Sequence, residues 1–325
     1  MPRILHVEAF SSPNAKENAY GLFSAFERRA SAVATLDYRL AAATVGAATM
    51  NKILIAAAAE FAPDLIFLGK CESVAGATIA RIRKLLPSCA VFHLFGDGRD
   101  TPPPFVGDIG RQVDATFVQC ADQAYFDRYL AAGCNRMETW IGGYNPEVIH
   151  PVEEAQIYEA VFMGSLAGAT GKQAEIKIKC RWEMLRLLVI AGIQVDVFGG
   201  PPVVKGATYH RRVYGKDFSA ACSKAKLALA YDTHFRYLYH SWPRLIRTLG
   251  SGTLLLVRRF PGLDTLFENK KHLVWFESLD ELLPLARYYL AHQDEAAAIG
   301  KAGLELVRGK YTFDHKVTQV LELMR

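Results

Sequence analysis

Arg244 and Arg247 stand three residues apart, just upstream of Gly250-Ser251-Gly252. On a helix that spacing puts both guanidiniums on one face. Guanidinium forks grip phosphate oxygens in pairs, so such a face offers binding of a phosphorylated ligand; a solvated basic face is the other reading. Two more small-residue turns, Gly164-Ser165 and Gly199-Gly200, end strand-like runs in the same half of the chain. At the carboxyl end of a parallel strand, glycine lets backbone N–H groups and a following helix N-terminus approach a pyrophosphate. Singly each glycine also suits a plain tight turn; three such turns in one half favour the ligand. Lys172 and Arg181 follow the first turn and offer positive charge to a departing diphosphate, although Arg181 suits a solvent-facing helix position equally.

The first half supplies carboxylates. Asp97 and Asp100, in Phe95-Gly96-Asp97-Gly98-Arg99-Asp100, follow an apolar strand-like run, where a carboxylate can take the proton from an attacking hydroxyl. Asp beside Gly is also ordinary turn chemistry. His6 and Glu8, at the end of the first strand-like run, are alternatives for the same proton.

Several sites are missing from the sequence. No G-x-x-x-x-G-K-[ST] occurs, since Gly171-Lys172 and Gly215-Lys216 lack the upstream glycine and the hydroxyl, which disfavours a P-loop enzyme. No G-x-G-x-x-G follows the first strand, which disfavours a nicotinamide-dependent dehydrogenase or an epimerase. No D-x-D pair and no zinc spacing of His and Cys occurs, so no metal is expected. The six cysteines are far apart with no C-x-x-C, as free buried thiols would be. A net charge of +5 over 325 residues is too weak to mark a nucleic-acid binder. Runs such as Ile53–Ala59 fall far short of the roughly 20 apolar residues of a membrane span, and the N-terminal residues lack a secretory pattern, so a cytoplasmic protein is expected.

The elements that must position these residues alternate between strand-like and helix-like, which implies parallel sheets with crossover helices. In the first half, strands are expected at 3–10, 34–38, 64–68, 90–95, 115–119 and 137–141, with helices at 18–29, 47–61, 75–86 and 123–132, and a Pro-rich loop at 101–104. Gly142-Gly143 and Pro146 to Pro151 break both periodicities and mark a connection. The rhythm restarts with strands at 160–163, 194–198, 227–230, 253–257 and 272–276 and helices at 175–191, 218–224 and 243–249; three helices, 279–292, 294–309 and 313–324, end the chain. The expectation is α/β: two Rossmann-like doubly wound domains, 1–150 and 151–325.

The stretch Trp242-Pro243-Arg244-Leu245-Ile246-Arg247-Thr248-Leu249-Gly250-Ser251-Gly252-Thr253, then Leu266-Phe267, Val274-Trp275-Phe276-Glu277-Ser278-Leu279 and Tyr311-Thr312-Phe313, resembles the donor domain of GT-B glycosyltransferases of the group 1 branch, with its nearest likeness among CgeB-like, spore-maturation-type proteins. The connection Gly143 to Pro151 is similar to their interdomain segment, and the likeness covers about the last 180 residues. It implies a GT-B architecture with two domains facing a cleft, a nucleotide-sugar donor (most readily a UDP-sugar) on the second domain, an acceptor on the first, and no cofactor or metal. Gly164, Ser165, Lys172, Arg181, Tyr231, Arg244, Arg247, Gly250, Ser251 and Gly252 then become donor-binding candidates, and Asp97, Asp100 and His240 catalytic ones. His240, near Tyr231, Asp232 and His234, would contact the transferred sugar. The family commonly holds the donor ribose with a Glu where this chain has Arg247, which can pair with phosphate but cannot accept from ribose hydroxyls. A degenerate transferase that binds nucleotide without catalysis is therefore the alternative. The acceptor stays open between a small molecule, a glycan and DNA, for which 172–181, Arg211-Arg212, Arg258-Arg259 and Lys270-Lys271 would border a path.

Overall fold

The structure is a computed structural model, which describes every residue except Asn14, Lys16, 167–171, 232–235, 240–242 and Arg325, and the backbone alone of 172–178. The chain divides into two compact units, Met1–Ile141 with Phe313–Arg325, and Gly142–Thr312.

In the first unit, β1 (Arg3–Glu8), β2 (Ala32–Asp37), β3 (Leu65–Gly69), β4 (Ala90–Phe95), β5 (Ala115–Val118) and β6 (Met137–Thr139) form one sheet in the order β2-β1-β3-β4-β5-β6. Every pairing is parallel. Parallel neighbours need crossovers, which here are α1 (Ala19–Glu27), α2 (Tyr38–Val45), α3 (Ala47–Phe61), α4 (Gly76–Leu85), α5 (Pro104–Gly110) and α6 (Gln123–Ala131). Helices on both faces make the central strands apolar throughout, as in the wholly buried Leu65–Gly69. Alternate residues serve opposite cores: Leu5, Val7, Ile66 and Leu68 pack with Met50 and Leu54, while Ile4, Leu65 and Phe67 pack with Phe26 and Trp140.

The second unit repeats the plan with β7 (Tyr158–Met163), β8 (Val195–Phe198), β9 (Thr208–His210), β10 (Ala225–Ala230), β11 (Leu255–Arg258) and β12 (Val274–Phe276), in the parallel order β12-β11-β10-β7-β8-β9. Its helices are α7 (Lys172–Ile190), α8 (Lys216–Ser223), α9 (Pro243–Gly250), α10 (Leu263–Leu266), α11 (Leu279–Ala291) and α12 (Gln293–Lys310). The two doubly wound sheets agree with the sequence-based expectation.

The last helix, α13 (Phe313–Glu322), returns to the first unit, where Phe313, Val317 and Val320 join the core of Phe26 and Trp140. Arg28 holds it with a two-pronged bond to Asp314, Nε at 2.9 Å and Nη2 at 2.7 Å, and Arg29 pairs with the same carboxylate. The expected boundary at 150/151 therefore falls at Ile141/Gly142, and the terminal helix leaves the second unit for the first.

Three elements differ from the reading of the sequence. The Pro-rich loop leads directly into α5, because Pro104 opens the helix where its missing N–H has no partner to lose. Asp37, the last residue of β2, also caps α2, a helix not read from the sequence, by accepting from the Arg39 and Leu40 amides. β9 is three residues long and only part-buried, too short and polar to stand out. All six cysteines are free, five of them buried. Among the described residues no helix is long and apolar enough to cross a membrane.

Candidate functional site

In the second unit the chain builds β7, β8 and β9 toward one side, then β10, β11 and β12 toward the other. The order reverses between β7 and β10, and ligands of open parallel sheets lie outside the carboxyl ends of the strands at such a reversal. Gly164-Ser165 follows β7 there, and Tyr231 follows β10. Arg181, buried on α7, joins the two ends: its Nε donates to the Tyr231 carbonyl at 2.9 Å and its Nη1 to the Ser165 carbonyl at 3.0 Å. Solvent exposure of Arg181 is thereby corrected, since its guanidinium is a strut between strand ends.

Arg244, in the first turn of α9, lies over Gly164, its Nη1 3.0 Å from the point where a Cβ on that glycine would stand. The guanidinium carbons of Arg181 and Arg244 are each 5.8 Å from the centre of the Phe162 ring. Two positive charges gathered near one ring make this edge attractive to an anion. The Gly164 amide donates to the Phe198 carbonyl at 3.1 Å and the Gly199 amide to the His210 carbonyl at 3.2 Å. These two N–H groups are engaged inside the protein, and the positive charge beside them comes from side chains. Gly199 and Gly200 have φ of +104° and +94°, and a Cβ on Gly200 would stand 2.8 Å from the Leu166 amide nitrogen. Tyr231 is buried; burial pushes its hydroxyl up, Cys180 adds to this, and Arg258 opposes it.

Arg247 lies one turn beyond Arg244, and its carbonyl accepts from both the amide and the hydroxyl of Ser251 at 2.9 Å. Gly250-Ser251-Gly252 then leads toward the start of β11, at the amino edge of the sheet. Its placement is set by packing: Ser251 Oγ is 3.1 Å from Ser219 Oγ, a Cβ on Gly252 would stand 3.0 Å from Pro151, and one on Gly250 would stand 2.9 Å from the Tyr144 ring. The eight residues of α9, about 12 Å of helix, separate this turn from Gly164. The expectation that both turns meet one pyrophosphate is corrected accordingly. Lys172 opens α7 with its side chain outside the described residues, and Asp232, His234 and His240 lie outside them altogether.

In the first unit the strand order reverses between β1 and β3. Glu8 ends β1, and its carboxyl lies against Gly69 at the end of β3, filling the space a Cβ would need. Burial raises the Glu8 carboxyl to about 7, against the pull of the Ala9 amide and Arg39 and with the push of Glu72 and Asp37. Oε1 accepts from the Ala9 amide at 3.0 Å. Lys70 and Cys71 follow with φ of +56° and +58°, a left-handed pair without glycine. His93 Nε2 donates to the Lys70 carbonyl at 2.9 Å, and Lys70 Nζ pairs with Asp97 at 2.8 Å. Burial pushes the Glu72 carboxyl up, but bonds from Arg39 at 2.6 Å and from the Tyr38 hydroxyl outweigh it and hold it low.

Of the sequence candidates here, Asp97 is tied to Lys70, and Asp100 lies in the loop held by Tyr125 and Tyr129, whose hydroxyls bond to the Arg99 amide and carbonyl at 3.2 and 2.9 Å. His6 is buried among Phe10, Phe26 and Phe67, and burial lowers it to about 3, so the ring stays neutral and out of reach of solvent. Along the imagined polyanion path, Arg211 faces Asp217, Arg259 faces Glu277 and Asp264, and Lys271 faces Glu268. Sequence reading grouped Arg212 with that path; its Nε lies instead 3.3 Å from the Cβ point of Gly199.

A family model described as glycosyl transferase-like matches residues 181–322. None of the curated proteins matches the chain by sequence. Among solved structures, HepE of Anabaena in complex with UDP-glucose is similar with a TM-score of 0.66 at 10% identity, over 99% of this chain and 100% of that one. Sucrose-phosphate synthase from Thermosynechococcus elongatus gives 0.67 at 12% identity, over 100% of this chain and 99% of that one. A glycosyltransferase from Rickettsia africae gives 0.64 at 9% identity, over 99% and 97%. At these identities the likeness establishes the fold, that of the two Rossmann-like domains called GT-B.

Proposed function

We propose that the chain is a glycosyltransferase that takes a sugar from a nucleoside diphosphate donor, most readily a UDP-sugar, and passes it to an acceptor hydroxyl. The observation that carries this reading is the Arg244 guanidinium resting on Gly164 at the strand-order reversal between β7 and β10. The glycosyl transferase-like match over 181–322 and the UDP-glucose bound by HepE support the same chemistry. We place the chain nearest the CgeB-like branch on the motifs of 242–282.

In this reading the bond from the anomeric carbon to the diphosphate breaks as the bond to the acceptor oxygen forms, and the departing oxygen takes the electron pair. Cations fixed before the reaction stabilise that charge without reorganising, which is the part given to Arg244, with Lys172 and Arg247 as further candidates. Arg181 keeps the floor of the site rigid. Tyr231 is given a place beside the donor, and the acceptor proton goes to a carboxylate, for which Glu8 joins Asp97 and Asp100 as a candidate. No cofactor beyond the donor is invoked. The test is release of nucleoside diphosphate from UDP-glucose, UDP-galactose, UDP-N-acetylglucosamine and GDP-mannose, with and without sugar, glycan and DNA acceptors. Acceptor-dependent release supports transfer. Binding of nucleotide with no turnover on any pair favours the degenerate, binding-only alternative.

A further inference from the structure

Arg212 forms, with Arg244, a pair of guanidiniums over two adjoining glycine turns. The Gly164 amide donates to the Phe198 carbonyl at 3.1 Å, so the turns after β7 and β8 lie side by side. Arg244 lies over Gly164, and Arg212, from the segment after β9, lies over Gly199. Arg181, also at this edge, has Nε and Nη1 bonded to protein carbonyls. Arg212 is exposed and makes no hydrogen bond or ion pair with any described residue, while the nearby Asp217 faces Arg211 at 3.6 Å.

We propose that Arg244 and Arg212 each hold one phosphate of a nucleoside diphosphate, so that Arg212 makes the site select diphosphates over monophosphates. The inference rests on the donor reading above and adds a specificity-determining residue to it. One phosphate satisfies one guanidinium fork; a second phosphate reaches the second fork across the adjoining turn. A charge-assisted contact of this kind is worth about tenfold or more in affinity. Bare glycine at both turns matters, because a Cβ on either would press its arginine aside by a few tenths of an ångström, and at Gly199 the φ of +104° disfavours any side chain.

The experiment is calorimetric titration of the full chain with UDP, GDP and ADP and with their monophosphates, for wild type, Arg212→Ala, Arg212→Lys and Arg244→Ala. Arg212 is exposed, so its variants should fold, and thermal unfolding without ligand checks this. The expected result is diphosphate preference in the wild type, an Arg212→Ala loss of about tenfold for the preferred diphosphate against less than about threefold for its monophosphate, and partial recovery in Arg212→Lys. Arg244→Ala should weaken both. Equal effects of Arg212→Ala on the two ligands, or none, with wild-type binding intact, overturn the inference and leave the donor reading standing. A wild type that binds no nucleotide overturns both.

Discussion

The Arg244 guanidinium lies against Gly164, with Nη1 3.0 Å, Cζ 3.1 Å and Nη2 3.3 Å from the point where a Cβ would stand. The nearest atoms belong to the end of a flexible side chain, so the fold can accommodate Gly164→Ala once the guanidinium gives by a few tenths of an ångström. Urea unfolding should show a cost below about 1 kcal/mol. Titration should show a loss of about fivefold or more in nucleoside diphosphate affinity. Unchanged affinity would separate Arg244 from the ligand.

Gly200 and Gly46 share a positive φ, +94° and +82°, but differ in surroundings. A Cβ on Gly200 would stand 2.8 Å from the Leu166 amide nitrogen, whereas one on Gly46 meets nothing within 4 Å. Gly46→Ala, at φ +82° and ψ +152°, should therefore cost only the conformational strain, about 1–3 kcal/mol, and Gly200→Ala should cost more because backbone must also move. Equal costs in parallel urea melts would contradict the packing described for the turn after β8.

Glu8 gives a pH signature. Its carboxyl is raised from 4.5 to about 7, so the folded chain keeps a proton that the unfolded chain releases. Stability from this group is thus greatest below about pH 4.5 and falls as pH rises to about 7, by up to about 3 kcal/mol. Glu8→Gln removes the titration and retains an oxygen for the Ala9 amide. Urea midpoints of the two proteins should converge near pH 4.5 and separate above pH 7, the variant being the more stable. Parallel curves would show that Glu8 titrates normally.

Asp314 titrates in the opposite sense. The hydrogen bond from Arg28, and then that from Arg29, hold its carboxyl below the usual range despite burial. Its contribution is present above the unfolded value of about 3.9 and is lost as pH falls through the lower folded value. The pair is partly exposed, which screens it, so Asp314→Ala should cost about 1–2 kcal/mol at pH 7 and less at pH 2.5. Urea unfolding at the two pH values measures this, and a cost independent of pH would assign the loss to packing alone.

The sheet plan was legible because strands buried on both faces, such as Leu65–Gly69 and the Leu227–Ala230 part of β10, are continuous apolar runs. The return of α13 was not, since nothing in Phe313–Glu322 names its partner; the decisive contacts are with Arg28 and Arg29, nearly the whole chain away. At the site, Gly164, Arg181, Tyr231 and Arg244 were legible as residue types near strand ends. Gly250-Ser251-Gly252 misled because glycine turns serve both edges of a sheet, and only strand direction tells the edges apart. Glu8 was visible, but its raised proton affinity comes from burial against Gly69, a contact across strands that spacing does not encode.

Thermal unfolding of the wild type and Arg244→Ala, with and without millimolar UDP, GDP and ADP, tests the donor site most directly, because a ligand bound only by the folded chain raises Tm. The predicted result is a rise for the wild type with at least one nucleoside diphosphate, largely abolished in Arg244→Ala while the ligand-free Tm stays close to wild type. No rise with any of them, or an equal rise in both proteins, would contradict a donor site at Gly164 and Arg244.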